Sequence, residues 1–133
     1  MMEVDYGFTR TLPGVTYGEA RPRIEAALKA EGFGILTEID VKATLRAKLD
    51  ADFRNYVILG ACNPVLAHEA LSEDPGVGLL LPCNVVLTED DGGDAVISIM
   101  DPEAMLAVLP EAGRFRELMH DARGRLQRAL AAA

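Results

Sequence analysis

Two tripeptides, Cys62-Asn63-Pro64 and Pro82-Cys83-Asn84, repeat one local chemistry within 133 residues: a thiol beside a carboxamide, flanked by proline. An ionised thiol is a nucleophile, a redox centre and a metal ligand, and an amide offers both donor and acceptor. Cys62 is the sharper of the two. It stands one residue before Asn63-Pro64, which spells a helix start: the Asn side chain caps free N–H groups, and proline gives up only an N–H that has no partner there. Free N–H groups and the helix dipole at such a start favour a thiolate. If the strands that carry the two motifs are neighbours, both thiols and both amides line one pocket. The competing reading makes both cysteines small core residues and both asparagines satisfiers of local backbone.

His68, about five residues into the helix after Asn63, and Asp101, which opens a second cap-then-proline pair with Pro102, complete the candidate ligand-binding set of Cys62, Asn63, His68, Cys83, Asn84 and Asp101. The plainer reading of His68 is a helix-surface residue. Cys62, Cys83 and His68 suit zinc by type, but the cysteines are 21 positions apart with no C-x-x-C spacing, so no metal is assigned. The acidic run 89–94 lacks the spacing of a calcium loop and reads as a Gly-Gly hairpin tip. Gly32-Phe33-Gly34 precedes a strand instead of opening a helix, so it is no dinucleotide fingerprint, and no Gly-x-Ser-x-Gly is present. Nothing identifies a cofactor.

The elements that must position these residues alternate along the chain. A strand over 6–12 stops at Pro13-Gly14; Thr16-Tyr17-Gly18-Glu19 is a capping box for a helix with Ala20, Ile24, Ala27 and Leu28 inward, running to about Glu31. Pro22 is the conflict, since a proline in the second turn kinks the helix or delays its start. Residues 33–39 read as a strand with Phe33, Ile35 and Thr37 facing one way. Asp40 caps a short amphipathic helix with Val41, Leu45 and Leu49 on one side. A strand over 55–61 leads into Cys62, and the helix from Pro64 ends at Asp74-Pro75-Gly76.

Residues 78–88 and 95–100 then form a hairpin around the acidic tip. Leu79, Leu81, Cys83, Val85 and Leu87 share one face of its first arm, yet Leu80 and Val86 make the other face apolar too. A sheet buried on both faces needs a cover on each. Helices supply one, and a second copy of the chain is expected to supply the other, making a homodimer. The chain closes on an Arg-rich amphipathic helix within 112–133, with Phe115, Leu118, Ala122, Leu126 and Leu130 inward. The reading is one domain over 1–133, α+β in class.

Charge excludes some partners. Of 13 Lys+Arg and 21 Asp+Glu, eight basic and 19 acidic side chains fall in residues 1–112, so the body repels a polyanion and no nucleic-acid binding is expected. The five arginines of the last helix are expected to meet acidic surface of the same chain or of a second subunit, or to stay solvated. The first ten residues carry Glu3 and Asp5 with no apolar run, and the longest apolar stretch, 77–81, is far too short to span a bilayer. The expectation is therefore a cytoplasmic protein, with no membrane partner and the two thiols reduced.

The run Ile58-Leu59-Gly60-Ala61-Cys62-Asn63-Pro64, then Ala67-His68-Glu69-Ala70-Leu71, Gly78-Leu79-Leu80-Leu81-Pro82-Cys83-Asn84-Val85-Val86 and Asp101-Pro102 followed by Met105, resembles the bacterial and archaeal domain-of-unknown-function family numbered 302. The segment 33–41 shares in it, and the resemblance covers 5–109, leaving most of the last helix outside. The order of elements gives about five strands, and the resemblance implies an α+β domain with a curved, mainly antiparallel sheet, helices packed on one face, and a shape like the TATA-binding protein. It implies no activity, and likeness to a DNA-binding fold carries no function with it.

Three functions remain open on the sequence. The first is a homodimeric module that binds a small molecule near Cys62-Asn63 and Cys83-Asn84. Another is thiol chemistry, with Cys62 as nucleophile or redox thiol and Cys83 resolving it. The third is a structural or protein-interaction domain in which the motifs only cap and pack.

Overall fold

The structure, a computed structural model, describes residues 4–109 and 113–133. In chain order it runs β1 (Gly7–Leu12), α1 (Tyr17–Ala30), β2 (Gly34–Asp40), α2 (Val41–Leu49), β3 (Tyr56–Cys62), α3 (Pro64–Glu73), a 3-10 segment (Pro75–Leu80), β4 (Cys83–Glu89), β5 (Ala95–Met100), a second 3-10 segment (Pro102–Ala107) and α4 (Phe115–Ala132). The five strands make one antiparallel sheet in the order β1-β5-β4-β3-β2, so the fold is α+β.

Alternation along the strands assigns the faces. Val57, Leu59 and Ala61 of β3 pair with Leu87, Val85 and Cys83 of β4, and Leu87 and Val85 pair with Ile97 and Ile99 of β5. All eight are buried and form one core with Ala20, Ile24 and Leu28 of α1 and Leu126, Ala129 and Leu130 of α4. A smaller core beneath α3 joins Ala70, Val77, Met105, Phe115, Leu118 and Met119.

The starts of the helices are local chemistry. Thr16 Oγ1 accepts from Glu19 N at 3.2 Å while the Glu19 carboxylate accepts from Thr16 N, so α1 begins at the capping box and Pro22 lies inside it. The Glu19 carboxyl is lowered from its ordinary value by the hydrogen bonds its Oε1 accepts from the Thr16 hydroxyl, at 2.8 Å, and from the Thr16 backbone N–H. Asp40 caps α2 through Ala43 N, and Asn63 caps α3.

Three expectations are corrected. The strand expected from residue 78 starts at Cys83: Leu79 and Leu80 lie in the 3-10 segment, Leu79 is 92% exposed, and the Leu81–Pro82 peptide is cis. Leu79, Leu80 and Leu81 therefore lie outside the sheet, and of the two residues that made its second face apolar, Leu80 and Val86, only Val86 belongs to β4. Next, a register shift between Ile35 and Thr37 turns Thr37 to the face opposite Phe33 and Ile35, where it covers Gly60. Lastly, α2 buries none of its residues, and Leu49 is 71% exposed.

Arg114, just before α4, and three arginines within it meet carboxylates of the same chain: Arg114 with Glu69, Arg123 with Asp101, Arg125 with Asp121 and Arg128 with Glu31. At the far end Arg10 Nη1 donates to the carbonyls of Leu130 and Ala131 at 2.8 and 2.9 Å, tying β1 to the last turn of α4. Among the described residues no helix is long and apolar enough to cross a membrane.

Candidate functional site

Strand β3 ends where α3 begins, and Asn63 makes the corner. Its Oδ1 accepts from Val65 N at 3.1 Å and Leu66 N at 3.2 Å, its carbonyl accepts from Ala67 N, and Pro64 occupies the first helical position. The free N–H groups that would have favoured a thiolate at Cys62 are thus already engaged. At the same corner the last pairs of the sheet bring Ala61 opposite Cys83, one residue from Cys62.

The two cores meet here without closing. The seam between them is a cleft of about 310 Å³, a volume typical of a small-molecule site. Ala61, Cys83 and Phe33 of the sheet core form one wall, and Ala70, Met105 and Met119 of the smaller core form the other. Cys62, Asn63, Leu66 and Ala67 line the corner, while Leu36, Thr37, Leu71, Leu81 and Pro82 stand at the rim. Small side chains keep it open: Ala67, Ala70 and Ala122 stand on helix faces where larger residues would fill the seam.

Cys62 is half-buried and Cys83 is buried, and both are free thiols. Burial, and after it the neighbouring Cys62, pushes the Cys83 thiol up from 9.0 to about 11. At neutral pH Cys83 is therefore a neutral, apolar-like wall residue. Among the lining residues Thr37 and Asn63 are the ones whose side chains carry oxygen or nitrogen; the rest are hydrocarbon, the thioethers of Met105 and Met119, and the two thiols.

Of the six candidate residues the cleft unites Cys62, Asn63 and Cys83. The other three lie elsewhere. Asn84 pairs with Gly60 and is exposed, since a strand turns successive side chains to opposite faces and Cys83 faces the helices. His68 is exposed on α3. Asp101 caps the 3-10 segment through Glu103 N at 2.9 Å and pairs with Arg123 at 3.2 Å, whose guanidinium lies 5.2 Å above the Phe8 ring. No group of three metal-ligating side chains occurs among the described residues. Sequence reasoning did not reach Thr37, Pro82, Met105, Met119 or Ala122 as lining. The available signal was the small residues Ala67 and Ala70 on the inward side of α3.

The sequence model of the domain of unknown function DUF302 matches residues 8–133, nearly the whole described chain. The chain belongs to this family. The match takes in α4, which the resemblance over 5–109 left out, and α4 contributes Met119 and Ala122 to the cleft. Among solved structures, this family member is similar to the crystal structure of an uncharacterised conserved protein DUF302 from Bacillus stearothermophilus. The two are 30% identical, with a TM-score of 0.86 over 97% of this chain and 98% of that one. A comparison with curated proteins finds no match.

Proposed function

We propose that this member of the DUF302 family is a small-molecule-binding domain that takes an apolar ligand, or the apolar part of one, into the cleft at the Cys62-Asn63 corner. The observation that carries this reading is the unfilled seam between two otherwise well-packed cores, about 310 Å³ and lined almost wholly by carbon and sulfur. The cleft opens to solvent at its rim, so its apolar walls meet water, and covering them with apolar surface is favourable. A small, largely preformed apolar cavity with a few polar atoms at one corner has the anatomy of a ligand site. The neutral Cys83 suits such a wall and counts against a resolving thiolate at that position.

The test is a fluorescence titration with N-phenyl-1-naphthylamine, which brightens in apolar surroundings. Saturable binding to the wild-type chain is expected, weakened at least tenfold in Ala67→Phe, which fills the corner from a half-buried helix position. Leu79→Ser, at an exposed position of the first 3-10 segment, serves as the control and should match the wild type. No saturable binding, or equal binding in folded Ala67→Phe, overturns the proposal. Native mass spectrometry of freshly purified protein adds the identity of any ligand carried through purification.

A further inference from the structure

The charged residues of the five strands all turn to the face that the helices cover. Arg10, Glu38, Asp40 and Glu89 stand opposite the core residues Ile97, Leu59, Val57 and Ala95. Two of them serve the helix layer there: Arg10 binds the last turn of α4, and Glu38 pairs with Arg21 of α1. The opposite face carries no charge. Its central cross-strand row runs Ile39, Ile58, Val86, Ser98 and Thr9. Tyr56, Thr88, Val96 and Thr11 lie on one side of that row, and Thr37, Gly60 and Asn84 on the other. None of these residues belongs to either core. An antiparallel sheet with one face in water puts apolar residues inside and polar ones outside. In a chain that is 26% charged, an outer face that holds charge nowhere and apolar residues at its centre is built to lose its water.

The cost of covering it is low. Thr9 Oγ1 and Ser98 Oγ hydrogen-bond one another at 2.8 Å, and Thr88 Oγ1 donates to the Asn55 carbonyl at 2.7 Å, so these hydroxyls keep partners when water leaves. Phe53, whose ring packs edge-on to Tyr56 at 5.8 Å, closes one end. Over the rest Ile58 and Val86 are half-buried, Asn84 is exposed and Ile39 is 50% exposed.

The same lack of charge specifies the occupant. The chain carries a net charge of −8, and a foreign partner chosen by charge complementarity meets acidic side chains at the contact. A second copy is acidic itself and fits only where like charges are not set against each other. In a two-fold pair each residue near the axis meets its own counterpart, so a charge at the centre of the face would repel itself. We infer that the uncharged sheet face packs against the same face of a second copy, sheet on sheet, around Ile58 and Val86. Five strands about 4.8 Å apart and six residues at about 3.4 Å each make a face of roughly 400 Å² in plan. Side-chain relief adds to that, yet a standard interface takes ~800 Å² per partner, so the pair is a reversible dimer and not an obligate one.

Sedimentation equilibrium of the full chain, from micromolar to several hundred micromolar, tests the pairing. A monomer–dimer equilibrium is expected, and it should tighten as salt rises, because salt screens the repulsion between two acidic bodies. Val86→Lys puts a charge at the centre of the face, and Asn84→Lys puts one at an exposed position of it. Each lowers the net negative charge, which by itself favours association, yet each is expected to weaken the dimer at least tenfold. Leu79→Lys makes the same charge change at an exposed position outside the sheet and should dimerise like the wild type. Circular dichroism verifies that the variants are folded, and the exposed Asn84 site decides the matter if Val86→Lys is not. A wild type that stays monomeric throughout the range overturns the inference, whatever else the face binds. So does a dimer that survives the lysine substitutions, or one that salt weakens, which would be held by charge elsewhere. Loss of the dimer in Leu79→Lys alone also overturns it and moves the contact to the 3-10 segment.

Discussion

The amide nitrogen of Asn63 lies 2.9 Å from the point where a Cβ on Gly32 would stand. Gly32 ends α1 with φ +86, its N–H donating to the Lys29 carbonyl and that of Phe33 to the Leu28 carbonyl. The end of one helix and the beginning of another are thereby packed amide against backbone. Gly32→Ala must place a side chain in the left-handed region, at about 1–2 kcal/mol, and also displace Asn63. A total loss of about 2–3 kcal/mol is expected, read as a lower urea midpoint. A midpoint equal to the wild type would show that the corner yields freely.

Asn63→Ala removes the cap outright. Val65 N and Leu66 N lose their acceptor, and a cap of this kind contributes about 1 kcal/mol, up to ~2 when the helix start is buried. Asn63→Asp and Asn63→Ser should retain most of that stability. Urea denaturation of the three variants therefore separates the capping oxygen from the amide donor, which the Ser and Asp variants both lack.

Gly60 is a second position where only hydrogen fits. A Cβ there would overlap Thr37 Oγ1 and lie 2.7 Å from Pro82 Cγ, and both of those residues stand at the rim of the cleft. Gly60→Ala is expected to destabilise by about 1–3 kcal/mol through overpacking. Adding Thr37→Ala should recover part of the loss, since it removes one of the two obstructing groups. Strict additivity in that double-mutant cycle would contradict the contact.

The buried thiol makes stability depend on alkaline pH. Cys83 titrates near 11 in the folded chain against 9.0 for its ordinary value, so the unfolded state loses its proton first. Its stabilising contribution is complete below about pH 9 and disappears as pH rises through 11. Two units correspond to about 2–3 kcal/mol. Urea midpoints measured from pH 7 to 11 should fall more steeply for the wild type than for Cys83→Ala, after normalising to pH 7. Parallel curves would refute the burial of this thiol. In the same range Cys62, being half-buried, is expected to alkylate in the folded protein well before Cys83 does.

Much of the local structure was legible in the residues themselves. Thr16, Asp40, Asn63 and Asp101 each cap where their side chains predict, because a cap bonds to an N–H two or three positions away and needs nothing distant. The inward stripe of α4 was readable for the same reason, since helical period is a property of a single segment. Cys62, Asn63 and Cys83 line one cleft, whereas Asn84, read into the same pocket on the condition that the two strands are neighbours, is exposed outside it.

What the tertiary structure decided lies between segments. The bulge that turns Thr37 over Gly60 answers to the partner strand and to Pro82, neither of which local pattern encodes. An apolar run over 77–81 reads as strand by composition, yet Val77 and Leu80 are drawn to the small core under α3, and the strand begins only at Cys83. The cleft is of the same kind. It exists because Met105 and Met119, distant in sequence from Cys62 and Cys83, arrive opposite them across alanines too small to close the gap, and a space left between two cores belongs to no single stretch of chain.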